Sequence, residues 1–382
     1  MSELEQLRGD IDAIDRQIVD LMKQRMETVA QVAEYKKANN MPVLDTSRER
    51  ALLSKVGQEA GEELADYVQS MYRTIMAASR SYENGKLGRG SKVYDGIKKA
   101  MEETPQLFPQ RPVVACQGIE GAYSQIACDR LFKAPSIMYF QSFDHVFKAV
   151  ESGMCQYGIL PIENSTAGSV NAVYDLMIRH NFSIVRSARL KVSHNLLAKP
   201  GTKLEDIRDV YSHEQALHQC AGYLAGLKNV AVHVVENTAV AARMVAQSDR
   251  TDVAALSSRF CAEQYDLEIV QDNVQDQDNN YTRFICISKK PEIYPGADRT
   301  SLMMTLPHKP GTLYNVLAKF YALNINLQKL ESRPLPSREF EFMFYFDVEA
   351  SVYAPEMEKL FRDLEAESEQ LRYLGTYHEV IC

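Results

Sequence analysis

The first forty residues contain almost no turn signal before Met41-Pro42, and their apolar positions step by three and four. The stripe is formed by six residues, Leu4, Leu7, Ile11, Ile14, Ile18 and Leu21. This periodicity predicts one helix that continues to about Ala38 and is roughly 50 Å long at about 1.5 Å per residue. Such a helix is longer than a small domain is wide. We therefore expect its apolar face to need a partner, most simply a second copy of the chain.

Length and composition limit the class of protein. At 382 residues the chain exceeds the size of one hydrophobic core, so two or three domains are expected. No apolar run is long enough to cross a bilayer and no basic-then-apolar leader is present, which predicts a cytoplasmic protein without a membrane partner. The seven cysteines form no CxxC pair and no cluster with histidine, so we expect neither a metal site nor a disulfide framework. A net charge of −8 argues against nucleic acid as a partner but leaves small acidic ligands open.

Four segments follow from the patterns. Residues 1–90 are predicted to be all-helical, with shorter helices opening at Thr46 and running from Ala65 to Ser81. Residues 91–112 are predicted to be a linker with at most one helical turn. Residues 113–290 alternate β-rich and helical runs, which indicates an α/β domain with helices covering a largely parallel sheet. Residues 298–382 are predicted to follow the ferredoxin-like βαββαβ order.

Arg25 falls in the apolar stripe, where its charge would face the interior and require a partner. Lys36 lies three turns further on nearly the same face. Arg8 lies seventeen residues earlier, about 25 Å away along the axis. One small ligand cannot touch both Arg8 and Arg25 of one straight helix, whereas Arg8 of an antiparallel second copy could reach it. Each charge could also be merely solvated, but the position of Arg25 favours a binding role.

These positions resemble the all-helical chorismate mutase family, whose three-helix chains form an intertwined dimer. The resemblance implies that Arg25, Arg48 and the Arg8 of the second subunit bind the two carboxylates of chorismate, with Lys36 on its ether oxygen. No nucleophile or cofactor is needed, because cations can stabilise the charge that develops on the breaking C–O bond. The full set implied for the mutase site is Arg8, Arg25, Lys36, Asp45, Arg48, Glu49, Ser79 and Glu83, with Lys36 and Glu83 as catalytic candidates.

Two of these residues also allow other interpretations. Thr46 and Glu49 fit a capping box as well as a substrate contact. The family commonly has Gln where this chain has Glu83, and a carboxylate cannot donate a hydrogen bond unless it is protonated. The helical domain could therefore survive only as a dimerising scaffold.

Several turns of the α/β region begin helices with glycines or short polar side chains, which suit carboxylate binding. Each also has a plain structural reading, since Ser212 with Gln215 fits a capping box and Asn237 or Thr238 an N-cap. Their concentration at strand ends favours a shared anion site. They also suit a non-catalytic solute sensor.

The segments YGILPIENSTAGSV, SHEQALHQC and NYTRFICI resemble the prephenate dehydratase motifs in order and spacing. The resemblance implies a two-lobed α/β domain that removes carbon dioxide and the ring hydroxyl from prephenate to give phenylpyruvate, with arogenate as an alternative substrate. Thr282 is the first candidate for the hydroxyl-facing donor, and Glu163 is a candidate acid if burial raises its pKa. Arg283 fits a structural ion pair as well as a substrate contact. The residues expected at the substrate are Asn164, Ser165, Thr166, Ser212, Gln219, Asn237, Thr238, Arg283 and Phe284.

The terminal region resembles the ACT regulatory domain through Glu331-Ser332-Arg333-Pro334 and through Gly311-Thr312-Leu313 at a helix start. A glycine at such a turn lets backbone approach a small ligand. The resemblance implies that these seven residues bind L-phenylalanine as a feedback effector and that the domains pair across subunits, in a homodimer or a dimer of dimers.

Overall fold

The computed structural model describes residues 2–88, 90–335 and 341–382. The chain divides into two compact units. One comprises residues 1–95, 309–319 and 356–367, and the other comprises residues 96–308, 320–355 and 368–382. Among the described residues, no helix is both long and apolar enough to cross a membrane.

The helical unit is built on α1 (Glu3–Ala38) and α2 (Thr46–Lys86). α1 is the single long helix that the periodicity predicts, and Ser2 with Glu5 forms a capping box at its start. α2 is broken at Gly61, whose φ of +76° and ψ of 166° suit only glycine. Gln69 Nε2 donates to Leu53 O at 3.2 Å across this break, so the segment folds back on itself. The prediction of two shorter helices is therefore confirmed.

The apolar stripe of α1 remains largely uncovered in the single chain. Its six side chains are between 47% and 63% exposed. Burying a leucine or isoleucine side chain contributes about 1.5–3 kcal/mol, so this stripe is a strong candidate for association.

α3 (Lys92–Glu103) occupies the predicted linker and is three turns long, where at most one turn was expected. It buries Tyr94, Ile97 and Ala100, which lie on one face at intervals of three residues. The prediction was wrong because these few apolar positions are separated by aspartate, glycine and lysine.

The α/β region contains two sheets with short helices between their strands. Its elements are β1 (Val113–Gln117), α4 (Tyr123–Leu131), β2 (Ser136–Phe140), α5 (Phe143–Glu151), β3 (Tyr157–Asn164), β4 (Gly168–Ser169), α6 (Asn171–Arg179), β5 (Ser183–Lys191), β6 (Asn195–Ala198), β7 (Asp209–Ser212), α7 (Glu214–Gln219), α8 (Ala221–Gly226), β8 (Ala231–Val234), α9 (Thr238–Gln247), β9 (Val253–Ser257), α10 (Arg259–Gln264), β10 (Glu268–Gln271) and β11 (Tyr281–Ser288).

Both sheets are mixed, which corrects the expectation of a largely parallel sheet. In the first, β1 runs parallel to β2 and β3, but β11 is antiparallel to both β3 and β5. In the second, β7 is parallel to β8 and β9, whereas β6 is antiparallel to β9 and β10. β11 enters the first sheet after the chain has passed through the second, so it is not constrained by a βαβ crossover.

The terminal region has the predicted order of elements. These are β12 (Arg299–Thr305), α11 (Thr312–Ala322), β13 (Asn326–Pro334), β14 (Phe342–Glu349), α12 (Met357–Glu367) and β15 (Gln370–Tyr377). The four strands form an antiparallel sheet in the order β13-β14-β12-β15, which is the strand order of the split βαβ fold.

The last strand of the chain leaves this sheet. β16 (Glu379–Ile381) pairs in parallel with β5 of the first α/β sheet, although its residues were predicted to belong to the terminal domain. β15 also lies close to β5. A Cβ at Gly375, whose φ is +151°, would lie 2.0 Å from Ile184 O, so only glycine permits this approach.

Candidate functional sites

Four of the residues predicted for the mutase site lie together between α1 and α2. Lys36 Nζ is 3.0 Å from Glu83 Oε1, and Arg25 Nη1 donates to Ser79 Oγ. Ser79 and Glu83 are buried and one helical turn apart. The geometry therefore places two cations of α1 beside a hydroxyl and a carboxylate of α2.

The other predicted mutase residues surround the start of α2 or lie on α1. Asp45, not Thr46, is the N-cap of α2, and its side chain accepts from Arg48 N at 2.9 Å. This corrects the capping-box interpretation, because Glu49 instead accepts from the Arg80 guanidinium. The side chains of Arg8 and Arg48 are exposed.

In the α/β region, Thr282 and Asn164 face each other across β11 and β3. They are paired in register, and Asn164 Nδ2 donates to Thr282 Oγ1 at 2.9 Å. The next pair is Arg283 with Glu163, but Phe284 pairs with Pro161, so Ile162 is an extra residue in β3. Such a bulge re-aims the side chains beside it. Here it lies beside the Asn164–Thr282 pair.

Asn164 belongs to a closed group of hydrogen-bonded side chains that joins the two α/β sheets. Its Nδ2 also donates to Asn280 Oδ1 at 2.7 Å, and its Oδ1 accepts from Thr166 Oγ1 at 2.7 Å. Gln219, at the end of α7, donates from Nε2 to Thr166 Oγ1 at 2.8 Å and accepts from Asn280 Nδ2 at 2.9 Å. A cavity of about 260 Å³ adjoins this group and is lined by Thr166, Gln215, His218, Gln219, Gln275, Asp276, Gln277 and Asn280.

Two members of this region were not expected from the sequence. Asn280 lies two residues before Thr282, so its nearness to the motif is a signal that could have identified it. His194, just before β6, lies in no recognisable motif. Its Nε2 is 2.9 Å from Gln219 Oε1, and burial lowers the pKa of the imidazole although the bond to Gln219 acts in the opposite direction.

Arg283 is the centre of a buried ion-pair cluster, which favours the structural interpretation over a substrate contact. Its side chain is 4% exposed. Nη1 lies 3.0 Å from Glu163 Oε1, Nε lies 3.1 Å from Glu379 Oε1, and Nη2 contacts Asp347. Nη2 also donates to the Tyr377 hydroxyl at 2.8 Å. Each nitrogen of the guanidinium thus lies within ion-pair distance of a carboxylate, although Nε makes no aligned hydrogen bond to a described residue.

The same cluster corrects the role predicted for Glu163. Burial by itself would raise the pKa of this carboxyl. The opposing effect of Arg283 and of Lys329, whose Nζ is 3.2 Å from Glu163 Oε2, is larger and lowers the pKa below its ordinary value. Glu163 is therefore a carboxylate near neutral pH and is unsuited to act as a general acid.

Several further residues expected at the substrate have side chains that the fold already uses. Phe284 is 2% exposed and packs in the core, and the buried Ser212 hydroxyl donates to Leu256 O at 2.7 Å. His213, not Ser212, caps α7. Ser165 Oγ donates to Asn279 O at 2.5 Å and accepts from Tyr281 N, which closes its turn.

The start of α9 has the plain capping arrangement. Asn237 accepts from Val240 N at 2.8 Å, and Thr238 is the first residue of the helix.

The residues predicted for effector binding lie at α11 and along β13. Gly311 has a φ of +86° immediately before α11, followed by Thr312 and Leu313. On β13, the Glu331 carboxylate accepts a hydrogen bond from the Ser169 hydroxyl. Arg333 forms a bidentate ion pair with Asp175, in which Nε donates to Oδ1 at 2.8 Å and Nη2 donates to Oδ2 at 3.0 Å. Ser332 and Pro334 are exposed on the opposite face.

Comparison with known proteins identifies the two regions. A family model described as chorismate mutase type II matches residues 7–84, and one described as prephenate dehydratase matches residues 114–292. A bifunctional chorismate mutase/prephenate dehydratase of Enterobacter agglomerans is 31% identical over 379 residues, covering 97% of this chain and 95% of the relative. The chain belongs to the bifunctional chorismate mutase/prephenate dehydratase family.

Other relatives match a smaller share of the chain. An arogenate dehydratase/prephenate dehydratase 2 of Arabidopsis thaliana is 39% identical over 332 residues, covering 80% of this chain and 86% of the relative. The structure of a prephenate dehydratase from Arthrobacter aurescens in complex with L-Phe covers 70% of this chain and 89% of that one, with 26% identity and a TM-score of 0.64.

As a bifunctional chorismate mutase/prephenate dehydratase, the chain is both an isomerase and a carbon–oxygen lyase. Family membership along nearly the whole chain rejects the two alternatives, a scaffold-only helical domain and a non-catalytic solute sensor.

Replacing Arg283 by methionine should destabilise the α/β unit by about 3–5 kcal/mol, because Asp347 and Glu379 would remain buried without their cation. Urea denaturation followed by circular dichroism measures the loss. Adding Asp347→Leu to Arg283→Met should recover part of it, since one uncompensated charge is removed. A loss below about 1 kcal/mol for Arg283→Met would show that the cluster is not structural.

Proposed function

We propose that chorismate is rearranged to prephenate between α1 and α2, and that prephenate is converted to phenylpyruvate beside Thr282. The observation that carries the second assignment is the direction of the Asn164–Thr282 hydrogen bond. Because Asn164 Nδ2 donates, Thr282 Oγ is the acceptor and its own hydrogen remains available. No acceptor for that hydrogen is found among the described residues.

The dehydratase chemistry needs a donor at the departing hydroxyl and anchors for the retained carboxylate. Cleavage of the ring carboxylate as carbon dioxide supplies the electron pair that completes the aromatic ring and expels the hydroxyl from the opposite carbon. The Thr282 hydroxyl donates to the departing oxygen, which leaves as water after taking up a proton that solvent ultimately replaces. Stabilising this developing charge is an electrostatic contribution from a fixed donor.

Hydrogen-bond donors of this group can bind the carboxylates of the substrate. Thr166, Gln219 and Asn280 line the neighbouring cavity, and amide and hydroxyl groups can bind carboxylates without a metal or cofactor. Arogenate remains a second candidate substrate, since the Arabidopsis relative is described as acting on both classes.

For the mutase, Arg25 and Lys36 supply positive charge from α1, and Arg8 of a second chain completes the site. The exposed apolar stripe supports pairing through α1, and the roughly 25 Å between Arg8 and Arg25 requires the second chain. Lys36 stabilises the ether oxygen as its bond breaks, and Glu83 holds the Lys36 ammonium between the helices.

The terminal region is proposed to be an ACT domain that senses L-phenylalanine through Gly311–Leu313 and Glu331–Pro334. Support comes from the βαββαβ order and from the dehydratase of Arthrobacter aurescens, which was crystallised with L-Phe. Because Arg333 is paired with Asp175, an effector that recruits Arg333 competes with this contact. Binding then favours an arrangement in which β13 and α6 are less tightly joined.

The composite mutase site can be tested by complementation. Arg8→Ala and Arg25→Ala should each lower mutase activity at least a hundredfold, since each removes a cation from the substrate. Co-expression of the two variants should restore about a quarter of wild-type activity, because half of randomly paired dimers contain one intact site. The rate of chorismate consumption measures the mutase activity. Dehydratase activity of the same preparations shows that comparable amounts of intact chain are present.

Arg25→Ala with Lys36→Ala is the matched control. Both residues belong to the same chain's half of the site, so co-expression should restore nothing. Equal recovery in both pairs, or none in either, contradicts the composite site.

At the dehydratase site, Thr282→Val keeps the shape of the side chain but removes the donor. We expect kcat for prephenate to fall about a hundredfold or more with little change in KM, because the hydroxyl acts in the transition state. Thr282→Ser should retain most of the activity. Phenylpyruvate absorbance measures the rate, and an unchanged urea denaturation curve shows that the α/β unit is folded. A valine variant within twofold of wild type would reject the role of Thr282.

Asp175→Asn should make the dehydratase more sensitive to L-phenylalanine. The half-exposed Arg333–Asp175 pair is worth at most about 1 kcal/mol, so its loss should lower the inhibitory concentration by up to about fivefold. Inhibition curves for phenylpyruvate formation provide the measurement. Asp272→Asn, which removes the exposed pair with Arg259, serves as control and should change nothing. An unchanged or raised inhibitory concentration for Asp175→Asn counts against the proposed competition.

A further inference from the structure

The hydrogen bonds around Thr282 form a ring with a single direction. Gln219 donates to Thr166, Thr166 donates to Asn164, Asn164 donates to Asn280, and Asn280 donates back to Gln219. Each amide therefore has one defined orientation. The second hydrogen of Asn164 Nδ2 is the one donated to Thr282.

The ring is anchored from outside at two corners. At Asn164, the backbone N–H groups of Thr166 and Ala167 donate to Oδ1 at 3.0 and 2.9 Å. At the opposite corner, the only hydrogen bond to the Gln219 side chain from outside the ring, within the described part of the chain, is with His194, whose Nε2 is 2.9 Å from Gln219 Oε1. Asn164 lies in the first sheet, whereas Gln219 is carried by α7 beside the second, so the His194 anchor holds the end of the ring that could otherwise swing away.

His194 is built to donate from Nε2. Its side chain is 2% exposed, and its backbone is held on both sides, by Gln275 Oε1 and by Val274 N, each at 2.9 Å. Nδ1 is buried and finds no hydrogen-bond partner in the described residues, so a proton there would be an unsatisfied donor. A proton on Nε2 instead meets Gln219 Oε1, which also accepts a hydrogen bond from Asn280 Nδ2.

With His194 Nε2 and Asn280 Nδ2 both donating to Gln219 Oε1, the orientation of the Gln219 amide is fixed. Nε2 must point toward Thr166 and the cavity, where its second hydrogen is available to a ligand. Without His194, Asn280 alone would hold Oε1, and a rotated amide would present an oxygen to the cavity. An oxygen would repel a carboxylate.

We propose that His194 is a positioning residue of the dehydratase reaction, which acts through Gln219 by fixing its amide so that a donor faces the substrate carboxylate. It does not touch the substrate itself. The inference rests on the proposed placement of prephenate in the Thr282 site, and it deepens that assignment by naming what orients one of the binding groups.

The test is a double-mutant cycle on the full-length enzyme. His194→Phe keeps an aromatic ring but removes the donor, and Gln219→Met removes the amide while keeping its length. We expect His194→Phe to lower kcat/KM for prephenate about tenfold, mainly through KM, because contact with a retained carboxylate stabilises ground and transition states alike. Gln219→Met should lower it at least as much, and the double variant should be no worse than Gln219→Met alone.

His194→Gln is the conservative variant, since its amide N–H can reach the position of Nε2. It should recover most of the activity lost in His194→Phe. If His194→Phe does not fold, as judged by thermal unfolding and mutase activity, His194→Asn, which is too short to reach Gln219, takes its place in the cycle.

The proposal is overturned if His194→Phe leaves kcat/KM unchanged, if the losses of the two single variants multiply in the double variant, or if His194→Gln is no better than His194→Phe. Thr282→Val, assayed in parallel, separates this result from the underlying assignment. If Thr282→Val is fully active, the proposed site itself fails. If it is inactive while the cycle shows no coupling, only the role of His194 fails.

Discussion

The buried guanidinium of Arg283 is the interaction on which the α/β unit most depends. It lies on β11 next to Thr282 and binds carboxylates from three other strands, β3, β14 and β16. A buried charge of this kind tolerates no loss of partners, since an uncompensated ion in the interior costs several kcal/mol. The terminal sheet and the C-terminal strand are thereby held to the strand that carries the dehydratase motif.

This cluster also decides the chemistry available beside it. Because Arg283 and Lys329 lower the pKa of Glu163, the strand end at β3 has no protonated carboxyl to donate near neutral pH. What remains at the site are neutral donors, namely the Thr282 hydroxyl and the amides of Asn164, Gln219 and Asn280. The reaction asks for little more, because aromatisation drives it and only the departing oxygen and the retained carboxylate need support. The site proposed for the mutase differs in using charge instead of neutral dipoles, since Arg25 and Lys36 are its cations on α1.

Sequence patterns predicted much of the fold and part of the sites. The long α1, the break of α2 and the terminal βαββαβ order follow from periodicity and turn residues, which are local properties. Residues of the helical site were also found together, because Arg25 stands out as a charge in an apolar stripe. By contrast, Ser212, Phe284 and Arg283 lie within or beside the correct motifs, yet the structure uses them elsewhere. Ser212 donates to a backbone carbonyl, Phe284 packs in the core, and Arg283 forms an ion-pair cluster. A motif shows that a segment matters, but it does not show which side of the strand a residue faces.

By itself, the sequence determined the order of the elements, the division into helical, α/β and terminal regions, and the chemistry to be expected of each, because periodicity and motif spacing are read along the chain. Only the tertiary structure decided that β11 runs antiparallel between β3 and β5, that β16 joins the α/β sheet, that Glu163 is ionised and that His194 holds Gln219. Each of these depends on groups between 25 and 192 residues apart meeting in a low-dielectric interior. Their energies come from distance and burial, and no pattern of neighbouring residues carries that information.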